Sequence, residues 1–154
     1  MNLEYAGRED IPAGLDAVWS FVTDPTQVAS CVPHMIESTV VAPNAADAVV
    51  QISVGPVRGK LTLRIRLDPD EASHRLNITI GGGAFGSVVD VTAAAGVTAV
   101  SPTAAALTWK ATAAVRGPLV TVGGRAIDAQ ARSVITQTFE NVKTRLTSAT
   151  AQAG

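Results

Sequence analysis

The chain has 154 residues, of which 47% are hydrophobic, 16% charged and 4% aromatic, with a formal net charge of -1. The charged fraction lies below the ~25% of average globular chains and is nearly balanced, so a nucleic-acid partner held through phosphate contacts lacks electrostatic support, and this much apolar material excludes disorder. Twenty-six alanines and twenty valines stand against six aromatic residues, which points either to an interior that side chains do not fill or merely to the base composition of the coding sequence. Cys31 is the single cysteine; it forms no intramolecular disulfide and fits a reducing cytoplasm. The N-terminus lacks an apolar run of signal-peptide type. The stretch from Ala84 to Val100 is broken by Ser87, Asp90, Thr92 and Thr98 and is shorter than the ~20 residues of a spanning helix, so no segment is expected to cross a membrane.

Alternation of Leu3, Tyr5 and Ile11 with Asn2, Glu4, Arg8 and Asp10 predicts a half-buried first strand ended by Pro12. Leu15, Val18, Trp19 and Val22 then recur at helical spacing, and Asp24 and Pro25 supply the N-cap and first position of a second short helix that runs to Cys31. Strands follow around Val40 and Val41, over Ala48 to Val54, and over Leu61 to Leu67, where Lys60, Thr62, Arg64, Arg66 and Asp68 occupy the other face. Pro69-Asp70 is expected to turn the chain into a strand at Leu76 to Ile80 that Gly81-Gly82-Gly83 breaks, with further strands over Ser87 to Val100 and Ala104 to Val115. After Arg116-Gly117-Pro118 the apolar period becomes 3.6, and Leu119, Val122, Ile127, Ala131, Val134, Ile135, Phe139, Val142 and Leu146 predict one helix of about thirty residues, ~45 Å long. The sum is an α+β fold: six to seven antiparallel strands curled around one long C-terminal helix, with two short helices after the first strand. A single domain over 1–147 and a flexible tail over 148–154 are expected.

Chemistry-bearing motifs are few. Gly81, Gly83 and Gly86 match G-x-G-x-x-G, but the strand-like Ser-Val-Val-Asp-Val-Thr that follows is not the helix a dinucleotide phosphate needs. The loop is read instead as a hairpin presenting Phe85, either plain or a gate. Cys31 and His34 are three apart with no further ligand to complete a metal site, so no metal is expected. Asp90 interrupts Val88, Val89 and Val91; pointed inward it would be an acid with a raised pKa, and alternation places it toward solvent. Residues 1–115 carry seven basic and eleven acidic side chains, a net of -4, and residues 116–154 carry five and two, a net of +3. The basic helix face, with Arg125, Arg132, Lys143 and Arg145, is read as a solvated face or as a site for anionic lipid or an acidic protein.

Gly7-x-Glu9-x-Ile11-Pro12-Ala13, Val18-Trp19, Asp24-Pro25-x-x-Val28-Ala29-x-Cys31-Val32-Pro33, Val54-Gly55-Pro56-Val57-x-Gly59, the Gly81 to Gly86 loop and Gly123-Gly124-Arg125-x-Ile127-Asp128 together resemble the CoxG family, an accessory component of aerobic carbon monoxide dehydrogenase. That family sits in the START-like, helix-grip (SRPBCC) superfamily. The chain departs from the family pattern at His34, where relatives have glycine, and in the Gly81 loop, which lacks a lysine after Phe85. The resemblance implies a non-enzymatic accessory protein, without a covalent cofactor, that helps a molybdenum-containing dehydrogenase associate with the inner face of the cell membrane and binds a respiratory quinone, menaquinone, in an internal cavity. Val22, Leu63, Ile78, Phe85, Trp109, Leu119, Val122, Ile127 and Phe139 are the expected ligand-binding residues, with Phe85 and Leu119 nearer the mouth, and no catalytic residue is assigned. The alternatives are a small helix-grip enzyme, a cyclase or hydrolase using Asp90, His34 or Cys31 on an apolar substrate, and a pure membrane-docking adaptor.

Overall fold

The computed structural model describes residues 1–147 in full and the backbone of 148–153. Strand β1 (Asn2–Ile11) leads into helices α1 (Leu15–Val22) and α2 (Pro25–Cys31). Strands β2 (Met35–Ala42), β3 (Ala45–Val54), β4 (Val57–Asp70), β5 (Arg75–Ala84), β6 (Ser87–Ser101) and β7 (Ala104–Arg116) follow as a meander, then a 3-10 turn (Pro118–Val122) and helix α3 (Gly124–Ala153). All neighbours pair antiparallel in one sheet of order β1-β7-β6-β5-β4-β3-β2, so the first strand closes onto the last. Helix α3 packs against both β1, at one edge, and β3, near the other. Only a strongly curled sheet allows that, and right-handed strand twist supplies the curl. This is the helix-grip architecture expected from the element order.

Alternation fixes which side chains face the helix. Ile65 and Leu67 of β4 are buried while Arg64 and Arg66 are exposed, and Val50, Ile52 and Val54 of β3 are buried on the same concave face. Asp24 Oδ1 accepts from the Thr26 N–H at 2.9 Å, and Pro25 occupies the first turn of α2, as its sequence dictates.

Three local expectations are corrected. The Gly81-Gly82-Gly83 run does not end a strand: β5 continues through Ala84, and the turn is Phe85-Gly86, both with positive φ (56° and 76°), the backbone of a two-residue primed hairpin. Glycine is needed within β5 because a Cβ on Gly82 would collide with the Thr62 carbonyl oxygen. Pro69-Asp70 likewise remains in β4, paired with Leu76 and Arg75, and the turn falls at 71–74. The long helix begins later than its apolar period suggests. Leu119 and Val122 lie on the 3-10 turn, Gly123 breaks the chain direction at φ 107°, and α3 starts at Gly124. The tail expected over 148–154 lies outside the fully described residues.

Candidate ligand cavity

The concave face and α3 enclose a cavity of about 260 Å³. The sheet contributes Leu63 and Ile65 of β4, Leu76, Ile78 and Ile80 of β5, Ala93 and Ala95 of β6, and Leu107, Trp109 and Ala111 of β7; α3 covers it with Val134, Ile135, Thr138, Phe139 and Val142; Phe21 and Val22 of α1, Val28 of α2 and Val32 close one end. The hollow has a simple cause. Ala93 pairs with Ala111 across β6 and β7 and with Ile78 across β5, so methyl groups sit where longer side chains would meet the helix. Thr138 and Trp109 are the lining residues with a polar side-chain atom. The Thr138 hydroxyl donates to the Val134 carbonyl at 2.6 Å, and the Trp109 indole N–H is directed to Glu9 of β1. The lining therefore carries no charge, and its hydroxyl is already satisfied.

Outside this cavity, a groove of about 580 Å³ runs between β1 and α3. It is lined by Glu4, Tyr5, Glu9, Arg132, Thr136 and Glu140, and it shares Trp109, Ile135 and Phe139 with the cavity. The Trp109 and Phe139 rings lie 5.2 Å apart, tilted by 31°, and form the wall between the two spaces. Tyr5 Oη donates to Asp128 Oδ1 at 2.7 Å, Arg132 Nε reaches Asp128 Oδ2 at 3.0 Å, and the guanidinium lies 5.2 Å from the Tyr5 ring centre. Burial, and then the hydrogen bond to Asp128, push the Tyr5 hydroxyl up to about 12. The same bond, followed by that from Arg132, holds the Asp128 carboxyl below its usual value. Glu9 pairs with Lys143 at 3.1 Å and accepts a long bond, 3.5 Å, from Trp109 Nε1.

An apolar hollow inside a curled sheet gripped by one helix is a shape shared by many proteins; sequence narrows it. The CoxG family of carbon monoxide dehydrogenase matches residues 7–147. The chain belongs to that family. No curated protein matches the sequence. Among solved structures, this CoxG-family chain is similar to a conserved protein from Geobacillus kaustophilus (19% identity, 95% of this chain and 96% of that one, TM-score 0.84). It is also similar to a START superfamily protein from Mycobacterium smegmatis (12% identity, 94% and 97%, TM-score 0.71) and to the Zhui aromatase/cyclase from Streptomyces sp. R1128 (12% identity, 95% and 94%, TM-score 0.71). At these identities the likeness establishes a START-like fold and nothing about activity.

Of the nine side chains expected from sequence to meet a ligand in this CoxG-family member, the structure brings Val22, Leu63, Ile78, Trp109 and Phe139 to the cavity. The other four sit elsewhere. Leu119, Val122 and Ile127 pack with Val50, Ile52, Val54 and Val115 in a second apolar cluster, because the break at Gly123 turns the first part of the apolar stripe away from the α3 face over the cavity. Phe85, 45% exposed at the β5–β6 hairpin tip, lays its ring over Gly59, where a Cβ would collide with it. Glu9, Ala93, Ala111 and Ile135 also border the two spaces, and sequence pattern does not single them out as site residues; the parity of Glu9 with Leu3 and Tyr5 in β1 is the signal for its inward position.

The candidates for catalysis lie outside the cavity lining. Cys31 is fully buried, and desolvation pushes its thiol above the usual value. His34 lies in the left-handed region at φ 60°, and Asp90 faces solvent, paired with Arg116 at 2.9 Å. Among the described residues no three His, Cys, Asp or Glu side chains gather as metal ligands, and no helix is long and apolar enough to cross a membrane.

Proposed function

We propose that this chain carries an apolar ligand, a respiratory quinone of the menaquinone type, for a molybdenum carbon monoxide dehydrogenase at the cytoplasmic face of the membrane, and is not itself an enzyme. The observation that supports this most is the lining of the cavity: uncharged on every side, with its single hydroxyl already satisfied. Such a space gives affinity through burial alone, roughly 0.8 kcal/mol per methylene-sized group. An enzyme acting there would need an acid, a base or a free nucleophile, and the lining offers none. At about 260 Å³ the cavity is just under the ~300–1,000 Å³ of sites for drug-sized ligands, enough for a ring or a short run of tail, with the rest of a longer molecule outside.

Delivery to the dehydrogenase is the role that family membership suggests, and the quinone is found at the membrane. The basic face of α3 contributes little to membrane attraction in this reading, because its cations are engaged within the fold: Arg132 with Asp128, Lys143 with Glu9, and Arg145 with the hydroxyl and carbonyl of Ser30. Mass spectrometry of organic extracts from the purified protein tests the proposal. A co-purified quinone or comparable lipid, exchangeable for added menaquinone, is expected; no extractable ligand together with no uptake of menaquinone overturns it.

A further inference from the structure

We propose that the ligand's polar head lies in the groove between β1 and α3, with its tail passing the Trp109–Phe139 wall into the cavity, and that this groove selects uncharged, hydrogen-bond-accepting heads over anionic ones. The inference rests on the carrier reading above and adds a route and a head-group class to it.

The route follows from what closes the other end. There the β3–β4 hairpin abuts the start of α3, a Cβ on Gly55 falling 2.8 Å from Val122 Cγ1 and 3.7 Å from Ala126 Cβ. The Leu119 N–H donates to the buried Ser87 Oγ at 2.7 Å, and Gly117 packs directly on Ser87. Behind these contacts the second apolar cluster fills the space. On the β1 side only side chains separate cavity from groove, and Trp109, Ile135 and Phe139 border both. A side-chain rotation opens that wall on a fast timescale, whereas the hairpin end requires backbone movement.

The head-group class follows from charge. Glu4, Glu9 and Glu140 line the groove with Asp128 beside it, against Arg132 and Lys143. Lys143 is paired with Glu9 and Arg132 with Asp128, which leaves Glu4 and Glu140 without a counter-ion among the described residues. A carboxylate or phosphate head would therefore meet net negative charge at close range. Donors for a neutral carbonyl or ether oxygen are present: the Trp109 indole N–H, held only by the long 3.5 Å bond to Glu9, and the terminal nitrogens of Arg132, whose Nε alone bonds Asp128.

The test uses an anthroyloxy-labelled hexadecanoic acid and its methyl ester, titrated by fluorescence into the full chain at a pH where the acid is ionised. The ester is expected to bind about tenfold or more tightly than the acid. Glu4→Gln/Glu140→Gln is expected to shrink that ratio to about threefold or less, chiefly by tightening the acid, while Phe85→Ala leaves both affinities unchanged. Equal affinities that Glu4→Gln/Glu140→Gln does not alter overturn the groove assignment and leave the carrier reading standing. Saturable binding of neither probe overturns the carrier reading itself.

Discussion

Replacing Ala111 by leucine should stabilise the protein and weaken its hold on apolar ligands at once. Ala111 faces the cavity from β7 beside Ala93, so its added carbons extend into open space rather than into packed atoms. An empty hollow of 260 Å³ represents on the order of 6 kcal/mol of lost packing at ~24 cal/mol per Å³, so there is stability to recover. Leucine adds three carbons, worth roughly 0.8 kcal/mol each when buried, or about 2.4 kcal/mol in all. With a urea dependence of ~1–3 kcal/mol per molar, the unfolding midpoint should rise by about 1 M. The same variant should bind a neutral apolar dye about tenfold more weakly, because the side chain occupies ligand space. A lower midpoint with unchanged dye binding would refute the reasoning: it would mean that leucine is overpacked against α3, at a cost of ~1–3 kcal/mol, and that the ligand lies elsewhere.

Other consequences follow from particular contacts. Tyr5 is the single tyrosine, so its ultraviolet titration should show a midpoint near 12, falling toward 10 in Asp128→Asn; a wild-type midpoint at 10 would remove the Tyr5–Asp128 bond from the account. Because the folded value lies above the unfolded one, the stability Tyr5 contributes is present below pH 10 and fades as pH rises from 10 to 12, whereas that of Asp128, with its lowered value, is lost on acidification below the normal carboxylate range. Leu119→Ala, which truncates a buried member of the second cluster, should lower stability by ~2–5 kcal/mol while the folded protein keeps its affinity for the neutral dye; a lost affinity at full folding would place Leu119 in the site after all. Gly82→Ala should destabilise by about 2 kcal/mol or more, seen as a lower thermal midpoint, since its Cβ would press on the Thr62 carbonyl.

Strand parity and helical spacing made the architecture legible in the sequence. The alternation of Leu61, Leu63, Ile65 and Leu67 with charged residues could serve only a one-sided sheet, and Asp24-Pro25 marked a helix start that the structure places at Pro25. Glycines and prolines misled where sheet pairing outweighed local preference. Gly81 to Gly83 read as a breaker, yet each is held in the ladder between β4 and β6, and Pro69 pairs with Leu76 inside β4. The site was legible only in part. Apolar residues at helical period look alike whether they face a hollow or a packed core, and the single residue Gly123 decides that Phe139 borders the cavity while Ile127 does not. The alanines at 93 and 111 carried the signal for the hollow, but only their pairing across β6 and β7 turns small size into empty space.

Quenching of Trp109 by a quinone tests the central claim most directly, because that indole lines the cavity while the second tryptophan, Trp19, lies outside it, edge-on to His74. In Trp19→Phe, addition of a short-tailed menaquinone should quench the remaining fluorescence saturably, and Ala111→Leu on the same background should weaken the effect by about tenfold. Unquenched or non-saturating emission from a folded Trp19→Phe protein would contradict an internal site for the ligand.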